Sequence, residues 1–200
     1  MSDRLGDYTA RYLGRVSLNP LVHIDPIGTV LFPILQFFSP IPLIGWAKPV
    51  PVNPANLRHP SRDHMMIAAA GPASNLVLGT ACIALLLILK IGLPEARALL
   101  SQWGSSDASQ LSQSAVLPPL IHMLVFGALI NFGLALFNLI PIPPLDGNWI
   151  LAGLLPHTAA RVFEALQPYG FIILYGLMFM GVLDVIFLPV QIILSLVIFS

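Results

Sequence analysis

The run from Met65 to Leu89, MMIAAAGPASNLVLGTACIALLLIL, carries no Asp, Glu, Lys or Arg. As a helix rising about 1.5 Å per residue it reaches roughly 37 Å, enough to cross a hydrocarbon core about 30 Å thick. Within it, Ala68-Ala69-Ala70-Gly71-Pro72-Ala73-Ser74 is a stretch of small side chains that lets a second helix approach closely. Downstream, Leu117 to Ile140 is a second such run, with no formal charge until Asp146. Phe171 to Phe199 is a third, interrupted by Asp184 and Pro189. As one straight helix it would extend roughly 43 Å, so it must project beyond the core or break in two.

Composition agrees with a lipid solvent. Hydrophobic residues make up 56% of the 200 and charged residues only 9%, with a mean hydropathy of +0.85. Soluble domains carry about 25% charged residues. Nine Lys and Arg balance nine Asp and Glu, so there is no basic field of the kind that nucleic-acid binding requires, and nucleic acid is not an expected partner. The single cysteine, Cys82, lies inside the first apolar run. It excludes an intramolecular disulfide and a thiolate metal cluster, and reads as packing. The first residues lack the charged, apolar and cleavable parts of a secretory signal.

A fourth apolar stretch, Ile27 to Trp46, is long enough to cross but holds Pro33, Pro40 and Pro42. Arg4, Arg11 and Arg15 precede it, and Lys48, Arg58 and Arg62 follow it. Cations on both flanks favour one side for both ends, so a re-entrant or hairpin-like path stands beside a span as an open reading. Gly92 to Val116 reads as a loop on the non-cytoplasmic side, and Gly104-Ser105-Ser106-Asp107-Ala108-Ser109 within it as a polar loop. The expected fold is all-α: one polytopic, membrane-embedded domain over residues 1–200, with three to five membrane segments. No internal inverted repeat is evident.

The local feature richest in chemistry is Asn138-Leu139-Ile140-Pro141-Ile142-Pro143-Pro144-Leu145-Asp146-Gly147. Three prolines among four residues unwind the backbone where the apolar run ends. Asp146 follows at once. An ionisable group near membrane depth needs a partner, a cavity or a metal; alternatively it caps the helix beginning near Gly147. Asn75 and Asn138 place amides in interrupted apolar segments. Each can bond another helix or position an extended peptide, since an amide both donates and accepts.

Asn138 through Gly147 resembles the N-x-x-P-x-x-P-L-D-G motif of the site-2 proteases, intramembrane zinc metalloproteases. Further blocks resemble the short bacterial branch in the same order: Leu5-Gly6-Asp7-Tyr8-Thr9-Ala10, Gly14 to Pro20, His23 to Thr29, Gly45 to Asn53, and Gly71-Pro72-Ala73-Ser74-Asn75. The resemblance implies zinc as cofactor, Asp146 as its carboxylate ligand, a transmembrane protein as substrate, and a place in the bacterial cytoplasmic membrane. It inclines Asn138 toward the active-site neighbourhood. It also implies a short extended segment near residues 45–53 that pairs with substrate.

The family's other two ligands and its catalytic Glu belong to an H-E-x-x-H helix, and no H-E-x-x-H occurs in these 200 residues. The five histidines do not replace it. His59 and His64 are five apart with Pro60 between them, His23 and Asp25 read as a structural pair, His122 as an interhelical residue, and His157 as a surface or cap residue. In the family the Leu5-Gly6-Asp7 block closely follows the second histidine. Met1 is therefore expected to be an internal methionine of a longer chain. The competing expectations are a pseudoprotease that binds transmembrane helices without cutting them and a small transporter built on broken helices.

Overall fold

The computed structural model describes residues 1–17, 19–39, 45–103 and 114–199; Pro40, Pro42 and the polar run 104–109 lie outside them. Every regular element among the described residues is helical. Two compact units follow one another along the chain, Met1–Ile67 and Ala68–Ser200.

In the first unit, α1 (Ser2–Leu5) and α2 (Thr9–Tyr12) flank Asp7. Asp7 is fully buried, and its carboxylate accepts from the Thr9 backbone (3.1 Å), the Thr9 hydroxyl, the Asn56 amide (3.1 Å) and the Asn53 backbone (3.0 Å). One side chain thus ties the start of the unit to residues forty-odd positions later. Burial pushes its carboxyl pKa up, but the four donors outweigh that and hold it at about 2.

Pro26 opens a π-helical turn to Leu31 that runs on as α3 (Phe32–Gln36). Asp25 caps it, accepting from Ile27 and Gly28 N–H at 3.0 and 2.9 Å. Eleven residues reach no more than about 16 Å, too short to cross. The two ends of the Ile27–Trp46 stretch are instead bonded together: Trp46 N–H donates to Gly28 (3.3 Å), the Thr29 hydroxyl to Trp46 (2.8 Å), and Lys48 N–H to His23 (2.9 Å). The described ends of the stretch thus meet, as the hairpin-like reading expects. Residues 45–53 form no helix or strand.

Two helices are long and apolar enough to cross a membrane, α4 (Pro60–Gly92) and α6 (Leu117–Leu139). At 33 residues α4 measures about 50 Å and exceeds the apolar core. Its N-terminus is fixed by Asp63, whose carboxylate accepts from the His59 N–H at 2.8 Å. In the second unit α4 and α6 run antiparallel in close contact. A Cβ on Gly79 would lie 2.8 Å from the Phe132 ring, and one on Gly127 would lie 3.0 Å from the Cys82 sulfur. Cys82 is packing, as expected.

Between these helices the reading of Gly92 to Val116 as a loop needs correction. Pro94–Ser101 forms α5, which buries Ala96, Leu99 and Leu100 beside Leu86, Leu117, Ile121 and Val125. The apolar spacing is helical and Pro94 sits in the first turn, where its missing N–H costs nothing. Beyond α6 come α7 (Asp146–Leu154), α8 (His157–Leu166), α9 (Gly170–Phe179) and α10 (Val182–Phe199). The third apolar region does break in two, with a bend of 67°. The break lies at Gly181, which adopts a φ of +70°, and not at Asp184 or Pro189, both inside α10. A left-handed backbone suits glycine and ends α9 more sharply than an interior proline does. Lys90 Nζ, near the end of α4, donates to the Ile198 carbonyl at 3.2 Å and fixes the far end of α10.

Candidate functional site

The last turn of α6 sets the geometry. Ile140 leaves the helix with φ −61° and ψ 126°, and the following prolines cannot resume it. Ile142 N–H donates back to Ile140 (2.8 Å), Leu145 N–H to Ile142 (2.9 Å), and the Pro143–Pro144 bond is cis. This compact reversal starts α7 directly against the end of α6. A Cβ on Gly147 would fall 2.3 Å from the Leu139 carbonyl oxygen and 2.4 Å from that of Ile140, so only glycine fits. Gly170 meets Pro143 in the same way, which packs the start of α9 on the reversal.

Asp146 is the first residue of α7, with Leu145 as N-cap and no side-chain capping bond. The capping alternative therefore contributes at most a charge–dipole term, not a hydrogen bond. The carboxylate is half-buried, and its Oδ2 lies 3.2 Å from where a Cβ on Gly71 of α4 would be. Burial pushes its pKa up from the ordinary carboxylate value. Asn75 stands one turn further along α4, on the same face as Gly71. Asn138 stands in the last turn of α6. The antiparallel packing of α4 and α6 brings all three residues to one end of the helix pair.

Asn138 Nδ2 donates to the Leu134 carbonyl of its own helix at 2.9 Å, so that bond is intrahelical and not the helix-to-helix kind. Asn148, two residues after Asp146, is 1% exposed, and its Oδ1 has no hydrogen-bond partner among the described residues. Sequence reasoning passed over Asn148, Gly71 and Gly147 as site residues. The one legible signal was Gly147 directly after the acid; Gly71 depends on packing across chain-distant helices, and the burial of Asn148 on how α7 packs.

None of the five histidines belongs to α7 or to the reversal that precedes it. His122 Nδ1 donates to the Pro118 carbonyl at 2.8 Å and its ring lies against Trp103, near the opposite end of α6 from Asn138 and about 24 Å away along it. It is satisfied within its own helix, a correction to the interhelical reading. His23 donates to the Ser17 carbonyl at 3.2 Å while Asp25 caps the π-turn, so both are structural but each has its own partner. His59 precedes α4, His64 lies in its first turns, and His157 opens α8.

A sequence profile described as Peptidase family M50 matches residues 36–181. A Bacillus subtilis (strain 168) protein named "Putative zinc metalloprotease YwhC" is 34% identical over 170 residues, which cover 85% of this chain and 67% of that protein. The chain belongs to peptidase family M50. No solved structure matches it.

M50 membership, the site-2 protease family, makes this an integral membrane protein with a protease-like function. Family and relative both imply zinc. The donor set supplies one carboxylate, Asp146, and among the described residues no group of three or more His, Cys, Asp or Glu could hold a metal. Catalytic zinc commonly takes three protein ligands and a water. By themselves the described residues do not fit a complete zinc centre.

Proposed function

We propose that this M50 chain serves intramembrane proteolysis in a bacterial cytoplasmic membrane, hydrolysing peptide bonds of transmembrane proteins at a zinc centre to which it contributes Asp146. The observation that carries the reading is the placing of one half-buried carboxylate at the proline-broken end of α6, against Gly71 of α4. A carboxylate without a hydrogen bond among the described residues, held against a membrane helix, suits a cation better than it suits lipid. Asn75 and Asn138 lie at the same end. We assign them to the substrate backbone, which an amide can engage from both sides once a helix has unwound to expose a scissile bond.

These 200 residues contain no H-E-x-x-H. The imidazoles and the base that hydrolysis needs are therefore not supplied by them. That same observation favours a second reading, in which the chain captures transmembrane helices without cutting them. Cleavage of a single-span reporter by the protein in membranes separates the two. Hydrolysis predicts that Asp146→Ala and Asp146→Asn abolish cleavage while the reporter still co-purifies. Cleavage that persists in Asp146→Ala refutes the assignment, and capture without cleavage by the wild type supports the second reading.

A further inference from the structure

α10 carries three polar side chains in an otherwise apolar helix, Asp184, Gln191 and Ser195. With Leu188 they recur at steps of four, three and four residues, which sets them within about 60° of one another around the helix. All four are exposed, Leu188 at 52%. The core side of α10 lies next to this seam: Leu194 and Ile198 are buried in the cluster that holds Leu86 and Ile121, and Lys90 bonds the Ile198 carbonyl. Ser195 satisfies its hydroxyl within the helix, donating to the Ile192 carbonyl at 2.8 Å. Gln191 makes no hydrogen bond among the described residues. It stands about 13 Å from the first residue of α10, near the middle of the helix. An amide bare at that depth has only hydrocarbon to face, and a second helix laid on the seam gives it a partner.

Two arguments select a second copy of this chain as that helix. A carboxamide both donates and accepts, so two Gln191 side chains across a two-fold axis complete each other with a pair of hydrogen bonds. No residue foreign to the chain is needed. Copies inserted the same way also run parallel at equal depth, and alternating three- and four-residue steps keep one seam of two parallel helices in contact over several turns. Leu188, and Ile192 beside it at 49% exposed, pack around the amide pair. Asp184 works against the contact, because two carboxylates then face each other. It stands in the first turn of α10, where the free backbone N–H groups offset part of that repulsion.

We propose that Asp184, Leu188, Gln191 and Ser195 form the seam of a parallel homodimer of this chain, closed by a reciprocal Gln191 amide pair and opposed by the two Asp184 carboxylates. This reading is independent of any catalysis.

The test uses the whole chain with Cys82→Ala. Single cysteines are placed on the seam by Leu188→Cys and Ser195→Cys, and on the far side of α10 by Ile193→Cys, a position 60% exposed. In membranes, mild oxidation should join residue 188 or 195 to its counterpart, giving a species of twice the chain's mass severalfold faster than residue 193 does. In proteoliposomes of the purified protein, donor- and acceptor-labelled copies, each labelled at Ser17→Cys, report the dimer by energy transfer. Gln191→Leu should lower that transfer severalfold at a fixed protein-to-lipid ratio, and Asp184→Asn should raise it by removing the like charges. Equal cross-linking at residue 193 would overturn the seam, as would disulfides from 188 and 195 only to other membrane proteins. Transfer unchanged in Gln191→Leu would overturn the amide pair, and transfer lowered in Asp184→Asn would overturn the facing carboxylates. Cross-linking needs no change at Gln191, so it decides the seam even if that variant fails to fold.

Discussion

Asp7 is fully buried and, at neutral pH, charged. Its folded pKa of about 2 lies below the ordinary value of 3.8, so it stabilises the fold fully above about pH 4 and loses that contribution as pH falls toward 2. The difference is on the order of 2 kcal/mol. Asp7→Asn should lower the thermal midpoint in detergent at pH 7, and the gap from wild type should narrow as pH falls from 4 to 2. A gap that is constant with pH would contradict the charged assignment. Gly147 offers a second test at this scale. With the Leu139 and Ile140 oxygens 2.3 and 2.4 Å from where a Cβ would stand, Gly147→Ala must move the α6–α7 reversal. A loss of about 1–3 kcal/mol or more is expected, measured by the same melt. Neither effect was readable beforehand. The Asp7 block is visible in the sequence, but its donors at Asn53 and Asn56 come from far along the chain.

Among the elements, legibility followed the kind of signal. α4 and α6 were plain because uncharged runs of membrane length have few alternatives, and the proline cluster after Asn138 marked the end of α6. α5 was missed because eight residues with an acidic and a basic side chain look like a loop until Leu99 and Leu100 find a core. The break at Gly181 was missed because proline is the louder signal, although a positive φ is the sharper stop. The α4–α6 packing is open to a direct check. A Cβ on Gly127 would lie 4.0 Å from that of Cys82, within the usual disulfide range of about 3.5–4.5 Å. Gly127→Cys should therefore pair with Cys82 on mild oxidation, leaving no thiol to react with maleimide. Two reactive thiols would contradict the antiparallel register.

For the whole molecule, the sequence was enough to reach the solvent, the helical class and the M50 family, because each rests on local pattern: hydropathy, prolines and ordered blocks. It was enough to single out Asp146. It did not foretell what stands next to that carboxylate, since Gly71 comes to it only through packing. It also left open whether the ends of Ile27–Trp46 meet, which the bonds between residues 23–29 and 46–48 show. The account rests on Asp146 binding a metal for peptide hydrolysis. The most direct measurement is the zinc content of the membrane-purified protein with a helix carrying the family's H-E-x-x-H supplied to it, for wild type and Asp146→Ala, at matched folding. The account predicts about one zinc per wild-type chain and its loss in the variant; a zinc-free wild type, or a variant that keeps its zinc, contradicts it.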